Sequence, residues 1–270
     1  MSAPHPLSVP PALRSFFEEH PAAAIAFSGG ADSAYLLYAA IACGCRVRAY
    51  YLHGPFQPAF ELADARRLAQ ELSADLSVLD LDLLANPKIA SNPPDRCYHC
   101  KRALFSALLE AAHADGFPVL LDGTNASDDP TDRPGIRALR ELSVLSPLAL
   151  SGIGKAELRA LSRQAGLFTW NKPAYACLAT RVPAGDPLTA SLLRQIEQSE
   201  EALFSLGFSD FRVRVFGGAA RIQLPAAQLP AALQKRREIL DLLSPHWRAV
   251  LLDLQERPAV SYEENGSISI

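Results

Sequence analysis

The order in which strand-like and helix-like segments follow one another constrains the fold of this chain more than any other feature of its sequence. Over the first two thirds, short apolar runs alternate with amphipathic stretches of helical period. The predicted strands are residues 24–28, 46–53, 75–84, 118–125 and 144–150, and the predicted helices are residues 32–43, 59–73, 100–116, 135–143 and 154–166. Because crossover helices join parallel strands, we expect an α/β fold with a doubly wound, mostly parallel sheet.

The strand–helix pattern ends at residues 167–189, which contain three prolines and Cys177 and show little periodicity. An irregular segment of this length is typical of a functional loop. After it, a predicted helix, two strands joined by two glycines, a second helix and a last strand form a smaller α+β part. We therefore predict two domains: residues 1–185, which contain the parallel sheet, and residues 186–270, which serve substrate binding or oligomerisation.

The composition is that of an ordinary globular protein, with 49% hydrophobic and 20% charged residues in a chain of 270. The formal net charge is -3 and no long Lys/Arg run occurs, so binding to a nucleic-acid backbone is not indicated. We find neither a signal-peptide pattern nor an apolar stretch long enough to cross a bilayer. Five cysteines are an odd, sparse set for a disulfide scaffold, which favours a cytoplasmic protein.

A glycine turn lies between the first predicted strand and the helix that follows it. Its motif S-G-G-x-D-S consists of Ser28, Gly29, Gly30, Asp32 and Ser33. Backbone N–H groups at a helix N-terminus bind anions, and glycines let the backbone approach a phosphate. The serine hydroxyls add donors, while the Asp32 carboxylate either ligates Mg²⁺ or fixes the loop through backbone N–H groups. The motif predicts a phosphate site; a turn without a ligand is the alternative.

This turn lacks the lysine of a Walker-type loop, because that position is Ala34 or Tyr35. The motif resembles instead the PP-loop of the N-type ATP pyrophosphatases, which cleave ATP between the α- and β-phosphates. The resemblance implies that the loop holds the pyrophosphate that leaves. It also implies that a substrate oxygen attacks the α-phosphate and becomes an adenylate.

A second polar turn, "DGTNASDD" at residues 122–129, follows a predicted parallel strand. Doubly wound folds bind their ligands at the carboxyl ends of such strands. Asp122 and Asn125 are therefore predicted to contact ATP or Mg²⁺, with Asp122 the better candidate. For Asp128 and Asp129, an Asx turn that caps the next helix explains the sequence equally well.

Three cysteines form a second candidate site. Cys97 and Cys100 make a C-x-x-C motif at the start of a predicted helix, and Cys177 lies in the irregular segment. A zinc site would need a fourth ligand, whereas three thiolates suit a [4Fe–4S] cluster with one open iron. A single nucleophilic Cys177 is the simpler alternative. Cys43 and Cys45 are interpreted as core or turn residues.

Three stretches resemble successive signatures of the LarE family, the ATP-dependent sulfur transferases of nickel-pincer cofactor synthesis. They are "NPPDRCYHCKRALF", "DGTNASDDPTDRPGIRALRELSVLSPL" and "WNKPAYACLATRVP". The resemblance extends from the glycine turn to about Gly185 and continues more weakly through "FRVRVFGGAARIQL". It implies that a carboxylate of pyridinium-3,5-biscarboxylic acid mononucleotide is adenylated and that sulfur then replaces its oxygen.

The family resemblance also assigns roles to the cysteines. Cys177 matches the cysteine that carries the sulfur. Some members give up the sulfur of this cysteine, which becomes dehydroalanine. Other members use equivalents of Cys97 and Cys100 as well, and hold an iron–sulfur cluster with all three; this chain has the three. The resemblance further implies a homo-oligomer.

Arginines near the end of the chain are candidates for binding the phosphate of the mononucleotide. Arg212 and Arg214 alternate along a predicted strand, so their guanidinium groups emerge on one face. Arg181, four residues after Cys177, is a further candidate. Gln223 stands where the family pattern has an acid, which leaves open a different carboxylate substrate.

Two other functions remain open at this point. A tRNA thiolase of the PP-loop class can carry the same cysteine pattern, although the mildly acidic composition favours a small-molecule substrate. A non-catalytic adenine-nucleotide-binding protein is the second alternative, and it leaves the three cysteines unexplained.

Overall fold

The computed structural model describes residues 9–128 and 134–255. Its helices are α1 (Pro11–Glu19), α2 (Ala31–Ala42), α3 (Ala59–Glu71), α4 (Pro87–Ala90), α5 (Arg96–Ala114), α6 (Pro134–Glu141), α7 (Pro147–Leu150), α8 (Lys155–Gln164), α9 (Ala190–Ser205), α10 (Leu229–Gln234) and α11 (Arg236–Leu243). Its strands are β1 (Ala22–Ala26), β2 (Arg46–His53), β3 (Asp75–Asp80), β4 (Leu120–Leu121), β5 (Arg212–Phe216), β6 (Ala219–Gln223) and β7 (Val250–Leu252). No helix of the described residues is long and apolar enough to span a membrane.

The described residues form two compact units. One extends to Leu83 and resumes with Asp95–Tyr175; the other combines Leu84–Pro94 with the residues from Ala176 onward. The second unit is therefore discontinuous in sequence. The roles proposed for domains 1–185 and 186–270 stay a prediction.

The first unit is built on a parallel sheet with the strand order β3-β2-β1-β4. Successive side chains of β1 enter different cores: Ala23 and Ile25 pack with α2, whereas Ala24 packs with Leu108 of α5 and Leu139 of α6. Because side chains of a strand alternate between its two faces, helices cover both faces of the sheet. This confirms the predicted α/β, doubly wound fold.

The strand order also creates a crevice at one end of this sheet. The chain runs outward from β1 through β2 to β3 and then returns to place β4 on the other side of β1. The segments that follow β1 and β4 therefore begin side by side at the carboxyl ends of parallel strands. Such a switch point is where open α/β sheets bind their ligands.

The predicted strand at residues 144–150 is wrong in extent. Only Leu145 pairs with the sheet, through a parallel bridge to Leu121, and Pro147 then begins α7. A proline lacks the N–H that a strand interior needs but fits the first turn of a helix. The pairing therefore stops after one residue.

The second unit contains a mixed sheet in which β5 pairs antiparallel with β6, and β6 pairs parallel with β7. With α9, α10 and α11 it forms the smaller α+β part that the sequence predicts. The segment Leu84–Pro94 is held here by buried Asn92, whose Nδ2 donates to the carbonyls of Pro183 at 2.7 Å and Asp186 at 3.1 Å. The backbone N–H of Gly185 donates in return to the Asn92 carbonyl at 2.8 Å.

Candidate active site

The turn between β1 and α2 has the geometry of an anion-binding loop. Gly29 has a φ of +69°, in the left-handed region that favours glycine, and Gly30 is the N-cap of α2. The Oγ atoms of Ser28 and Ser33 lie 3.1 Å apart. Two hydroxyl groups therefore lie beside the first N–H groups of a helix, which is the donor set that a phosphate requires.

Two glycines of the site lie where backbone segments approach closely. A Cβ atom on Gly29 would lie 3.2 Å from both Ala65 N and Glu61 O of α3, and one on Gly123 would lie 3.0 Å from Ser33 N. The loop is thus confined between α3 on one side and the segment after β4 on the other. A larger residue at either position would displace the loop.

The carboxylate of Asp32 binds a lysine. Lys155 Nζ donates to its two oxygens at 2.5 and 2.6 Å. Lys155 is the first residue of α8, and its backbone N–H donates to Ser127 Oγ at 2.9 Å. Two roles were predicted for Asp32: a Mg²⁺ ligand, or an anchor of the loop through backbone N–H groups. In the structure the carboxylate is held by the Lys155 ammonium group and not by backbone N–H groups. The Mg²⁺ role stays a prediction.

A second lysine contacts the same loop. Lys172 Nζ donates to the Gly29 carbonyl at 3.3 Å and forms an ion pair with Asp64 Oδ2 at 2.7 Å. The Lys172 carbonyl accepts from Arg159 of α8 at 3.0 Å. Neither Lys155 nor Lys172 was predicted from the sequence to belong to the site.

Asp122 lies directly after β4 and is buried. Its Oδ1 accepts from Ser146 Oγ at 2.6 Å, and its Oδ2 accepts from Thr124 Oγ1 at 2.5 Å. The two hydroxyl groups fix the orientation of the carboxylate. A carboxylate oxygen has two lone pairs, so the chemistry of this group still fits the predicted role as a Mg²⁺ ligand.

The segment after Asp122 contains an Asx turn at Asn125, whereas the helix cap considered for Asp128 and Asp129 stays a prediction. Asn125 Oδ1 accepts from the backbone N–H of Ser127 at 2.9 Å, and the Asn125 N–H donates to Asp128 Oδ2 at 3.1 Å. Asn125 lines a separate cavity of about 450 Å³. Its predicted contact with ATP stays a prediction, and Asp129 lies outside the described residues.

A cleft of about 360 Å³ joins the two polar turns. Its lining consists of Ala26, Ser28, Asp32, Ser33, Lys101, Phe105, Asp122, Gly123, Thr124, Asp128 and Ile136. The structure therefore brings the serines and Asp32 of the glycine turn together with Asp122. The size is within the range of small-molecule sites, and Lys101 adds a positive charge that the sequence analysis did not assign.

The C-x-x-C motif lies at the start of α5, the helix that also contributes Lys101 and Phe105 to this cleft. Cys97 and Cys100 are three residues apart on the helix, so they share one face. Cys97 is exposed and Cys100 is buried, and Arg96 Nη2 donates to Cys97 Sγ at 3.6 Å. Lys101, which follows Cys100 in the chain, lines the cleft.

In the second unit, Cys177 precedes a 3₁₀ turn that Arg181 holds in place. Arg181 Nη1 donates to the carbonyls of Ala176 at 2.7 Å and Cys177 at 3.3 Å. Its Nε and Nη2 donate to the Glu200 carboxylate at 2.8 and 3.0 Å. The Arg181 side chain is completely buried beside Glu200, and its predicted contact with a substrate phosphate stays a prediction.

Arg212 and Arg214 lie two residues apart on β5 and therefore emerge on the same face, as predicted. Arg214 donates to Gln223 Oε1 at 2.5 Å and to the Thr180 carbonyl at 2.8 Å. Arg212 is buried, and its Nη1 donates to the Phe211 carbonyl at 2.6 Å. That these arginines bind a phosphate stays a prediction.

Within residues 9–128 and 134–255, no three His, Cys, Asp or Glu side chains are grouped so that they could hold a metal ion. The three-thiol ligand set therefore stays a prediction.

Cys45, interpreted as a core or turn residue, is buried with its Sγ 3.3 Å from the His20 carbonyl. Burial raises the pKa of the Cys45 thiol to about 11.

Comparison with known proteins identifies the family. The pyridinium-3,5-bisthiocarboxylic acid mononucleotide synthase of Lactiplantibacillus plantarum, a LarE protein, is 35% identical over 233 residues, which cover 85% of this chain and 84% of that protein. The chain belongs to the LarE family. It is thus related over most of its length to an enzyme of sulfur insertion.

Two further relatives are similar to this chain, but their functions are not known. An uncharacterised protein of Synechocystis is 38% identical over 223 residues, or 82% of this chain and 83% of that protein. An uncharacterised protein of Methanocaldococcus jannaschii is 30% identical over 216 residues, or 80% of this chain and 82% of that protein. No protein-family model matches the chain.

Proposed function

We propose that this LarE protein adenylates a carboxylate of pyridinium-3,5-biscarboxylic acid mononucleotide with ATP and then replaces the carboxyl oxygen with sulfur. The observation that carries the proposal is the cleft shared by the glycine turn and Asp122 at the switch point of a parallel sheet. Family membership supplies the substrate class, because the L. plantarum relative is named for the bisthiocarboxylic acid product.

The residues of the cleft suit the first step. A carboxylate oxygen of the substrate forms a bond to the α-phosphorus of ATP, the bond from that phosphorus to its bridging oxygen breaks, and the electron pair leaves with pyrophosphate. The N–H groups at the start of α2 and the hydroxyls of Ser28 and Ser33 hold the pyrophosphate. Asp122, oriented by two hydroxyl groups, would hold Mg²⁺, which would offset the negative charge of the phosphates.

In the second step, a sulfide-level sulfur nucleophile forms a bond to the activated carboxyl carbon, the bond from that carbon to the oxygen it shares with the phosphate breaks, and AMP leaves with the electron pair. We propose Cys97, Cys100 and Cys177 as the ligands of a [4Fe–4S] cluster. Cys97 and Cys100 share one helix face, which suits two of its thiolate ligands. Such a cluster, when bound, supplies an iron that can carry sulfide; sacrifice of the Cys177 sulfur is the competing route.

Pyrophosphate release tests the adenylation step. With ATP, Mg²⁺ and the pyridinium dicarboxylate mononucleotide, the protein should release pyrophosphate and AMP. Ser33→Ala should lower the rate about 10-fold to 100-fold, because a donor to the leaving group is lost. Ser205→Ala, a change on α9 outside the cleft, serves as the control. Absence of substrate-dependent pyrophosphate from the wild-type protein would refute the adenylation.

Anaerobic purification with iron and sulfide analysis distinguishes the two sulfur routes. On the cluster route, the protein contains about four irons per chain, and Cys97→Ala, Cys100→Ala and Cys177→Ala each lose them. Cys43→Ala, which alters a cysteine outside the proposed set, keeps them. An iron-free protein whose Cys177 loses its sulfur on turnover would establish the sacrificial route instead.

The family resemblance underlies the remaining proposals. The second domain is proposed to bind the mononucleotide through Arg212 and Arg214 and to mediate self-association. Copurification of tRNA, or tRNA binding that weakens with salt, would favour the thiolase alternative. Sedimentation analysis of the purified chain measures the oligomeric state.

A further inference from the structure

Lys172 contacts the glycine turn from the signature stretch around Cys177, which is far from the turn in the sequence. Its Nζ lies 3.3 Å from the Gly29 carbonyl oxygen and 2.7 Å from the Asp64 carboxylate. We propose that Lys172 is a ligand of pyrophosphate in this site, where it exchanges the Gly29 carbonyl and Asp64 for phosphate oxygens. The inference rests on the proposed function, because it takes the turn to be the pyrophosphate loop.

The position of Lys172 suits this exchange. The peptide group that joins Gly29 to Gly30 is planar, and its oxygen and nitrogen are roughly 2.3 Å apart. With Nζ 3.3 Å from that oxygen, the ammonium group lies within about 6 Å of the Gly30 nitrogen. Because the N–H of a trans peptide points away from its carbonyl oxygen, the side chain has to swing from one edge of this peptide toward the other to reach a phosphate oxygen at the start of α2, and the flexible four-carbon stem of lysine permits that movement.

The partners that Lys172 has in the structure are ones it can leave. Its ion pair with Asp64 is partly exposed, and such pairs contribute little net free energy. Pyrophosphate carries several negative charges, whereas the Asp64 carboxylate carries one and the Gly29 carbonyl carries none. The ammonium group therefore interacts more strongly with the leaving group than with the atoms it contacts without it.

The backbone that carries Lys172 is fixed, so the charge is held near the loop. The Lys172 carbonyl accepts from Arg159 Nη2 at 3.0 Å, and the rings of Phe60 and Tyr175 meet edge to face at 5.0 Å. Because α3 carries Phe60 and α8 carries Arg159, two helices position this segment. The segment that carries Lys172 therefore loses little conformational entropy when pyrophosphate binds, which favours binding.

Calorimetric titration of the full chain with inorganic pyrophosphate and Mg²⁺, and separately with AMP, tests the proposal. Lys172→Gln should weaken pyrophosphate binding at least 10-fold and change AMP binding less than 2-fold, since AMP lacks the β- and γ-phosphates. Lys172→Arg, which keeps the charge, should recover most of the affinity. Lys88→Gln, at an exposed lysine of α4, should match the wild type.

Asp64→Asn separates this role from a merely structural ion pair. If Lys172 binds pyrophosphate, loss of the competing carboxylate leaves the affinity unchanged or raises it; if the ion pair only supports the loop, Asp64→Asn weakens binding as Lys172→Gln does, and the proposal is overturned. Unchanged pyrophosphate affinity in Lys172→Gln also overturns it. A wild-type protein that binds no pyrophosphate refutes the proposed function as well, so the two failures are distinguishable.

Discussion

Lys155 Nζ lies 2.5 and 2.6 Å from the two carboxylate oxygens of Asp32, and this contact links the first residue of α8 to the first turn of α2. The two side chains retain about a quarter of their exposure, 23% for the lysine and 27% for the aspartate. The ion pair therefore neutralises the acidic residue of a loop that is proposed to bind a polyanion. Without the lysine, the Asp32 carboxylate repels the phosphates.

Exchange of Lys155 tests that electrostatic role. Lys155→Met should reduce kcat/KM for ATP roughly 100-fold, because an unpaired negative charge remains beside the phosphates. Asp32→Asn combined with Lys155→Met should recover part of the loss if Asp32 mainly holds the lysine. If Asp32 instead ligates Mg²⁺, the double variant will be no better than Lys155→Met. Pyrophosphate release at varied ATP measures both.

Gly29 and Gly44 form a matched pair for testing the close approach at the loop. Both have positive φ, +69° and +72°, but a Cβ on Gly44 would meet nothing within 4 Å. Gly44→Ala should cost about 1–2 kcal/mol of unfolding free energy for the left-handed backbone alone. Gly29→Ala should cost more and should abolish nucleotide binding, because its Cβ lies against α3. Urea unfolding measures the loss of unfolding free energy, and ATP titration measures the loss of nucleotide binding. Equal losses in Gly29→Ala and Gly44→Ala would exclude an effect of the contact between the Cβ and α3.

Replacing only one residue of the buried pair of Arg181 and Glu200 should strongly lower the free energy of unfolding. Arg181→Met leaves the Glu200 carboxylate buried without its cation, which should lower the unfolding free energy by about 3–5 kcal/mol. Arg181→Met with Glu200→Gln should lose less, because no unpaired charge remains. Arg194→Met, at an exposed arginine of α9, should stay within about 0.5 kcal/mol of wild type. Similar unfolding free energies for Arg181→Met and Arg194→Met would contradict the conclusion that Arg181 is the buried ion-pair partner of Glu200.

The raised pKa of Cys45 makes a prediction for alkaline solution. Burial raises this pKa from 9.0 to about 11, so the folded protein retains the thiol proton more tightly than the unfolded chain. The resulting stability is complete below pH 9 and is lost as pH rises from 9 to 11. Relative to Cys45→Ala, the wild type should lose an additional 1–3 kcal/mol or so over this interval. Urea unfolding of the wild type and of Cys45→Ala at several pH values measures this additional loss, and equal pH slopes for the two proteins would contradict the prediction.

Features set by neighbouring residues were predictable from sequence. The strand predicted at 46–53 is confirmed as β2, because Val47, Tyr50 and Tyr51 have the β-branched and aromatic side chains that favour a strand locally. The glycine turn between β1 and α2 follows from the position of Gly29 and Gly30 after an apolar run. The extent of the predicted strand at residues 144–150 was misjudged because the apolar residues on either side of Pro147 suit a strand or a buried helix equally well; Pro147 itself is the local signal that ends the strand.

The lysines of the site were invisible for a different reason. Lys155 meets Asp32 across 123 residues of sequence, and Lys172 meets Gly29 across 143. No local pattern encodes such contacts; the packing of α8 and of the segment after it brings them about. Arg181 was interpreted from its charge and its distance to Cys177 in the chain, but that interpretation omitted Glu200, the buried carboxylate that binds it.

The discontinuous second unit has a consequence for synthesis on the ribosome. The Asn92 side chain hydrogen-bonds the carbonyl of Pro183, which is made 91 residues later. At elongation rates of about 5–20 residues per second, this amide waits roughly 5–18 s for its acceptor. The segment Leu84–Pro94 therefore emerges early, but its unit closes only after the C-terminal third has been translated.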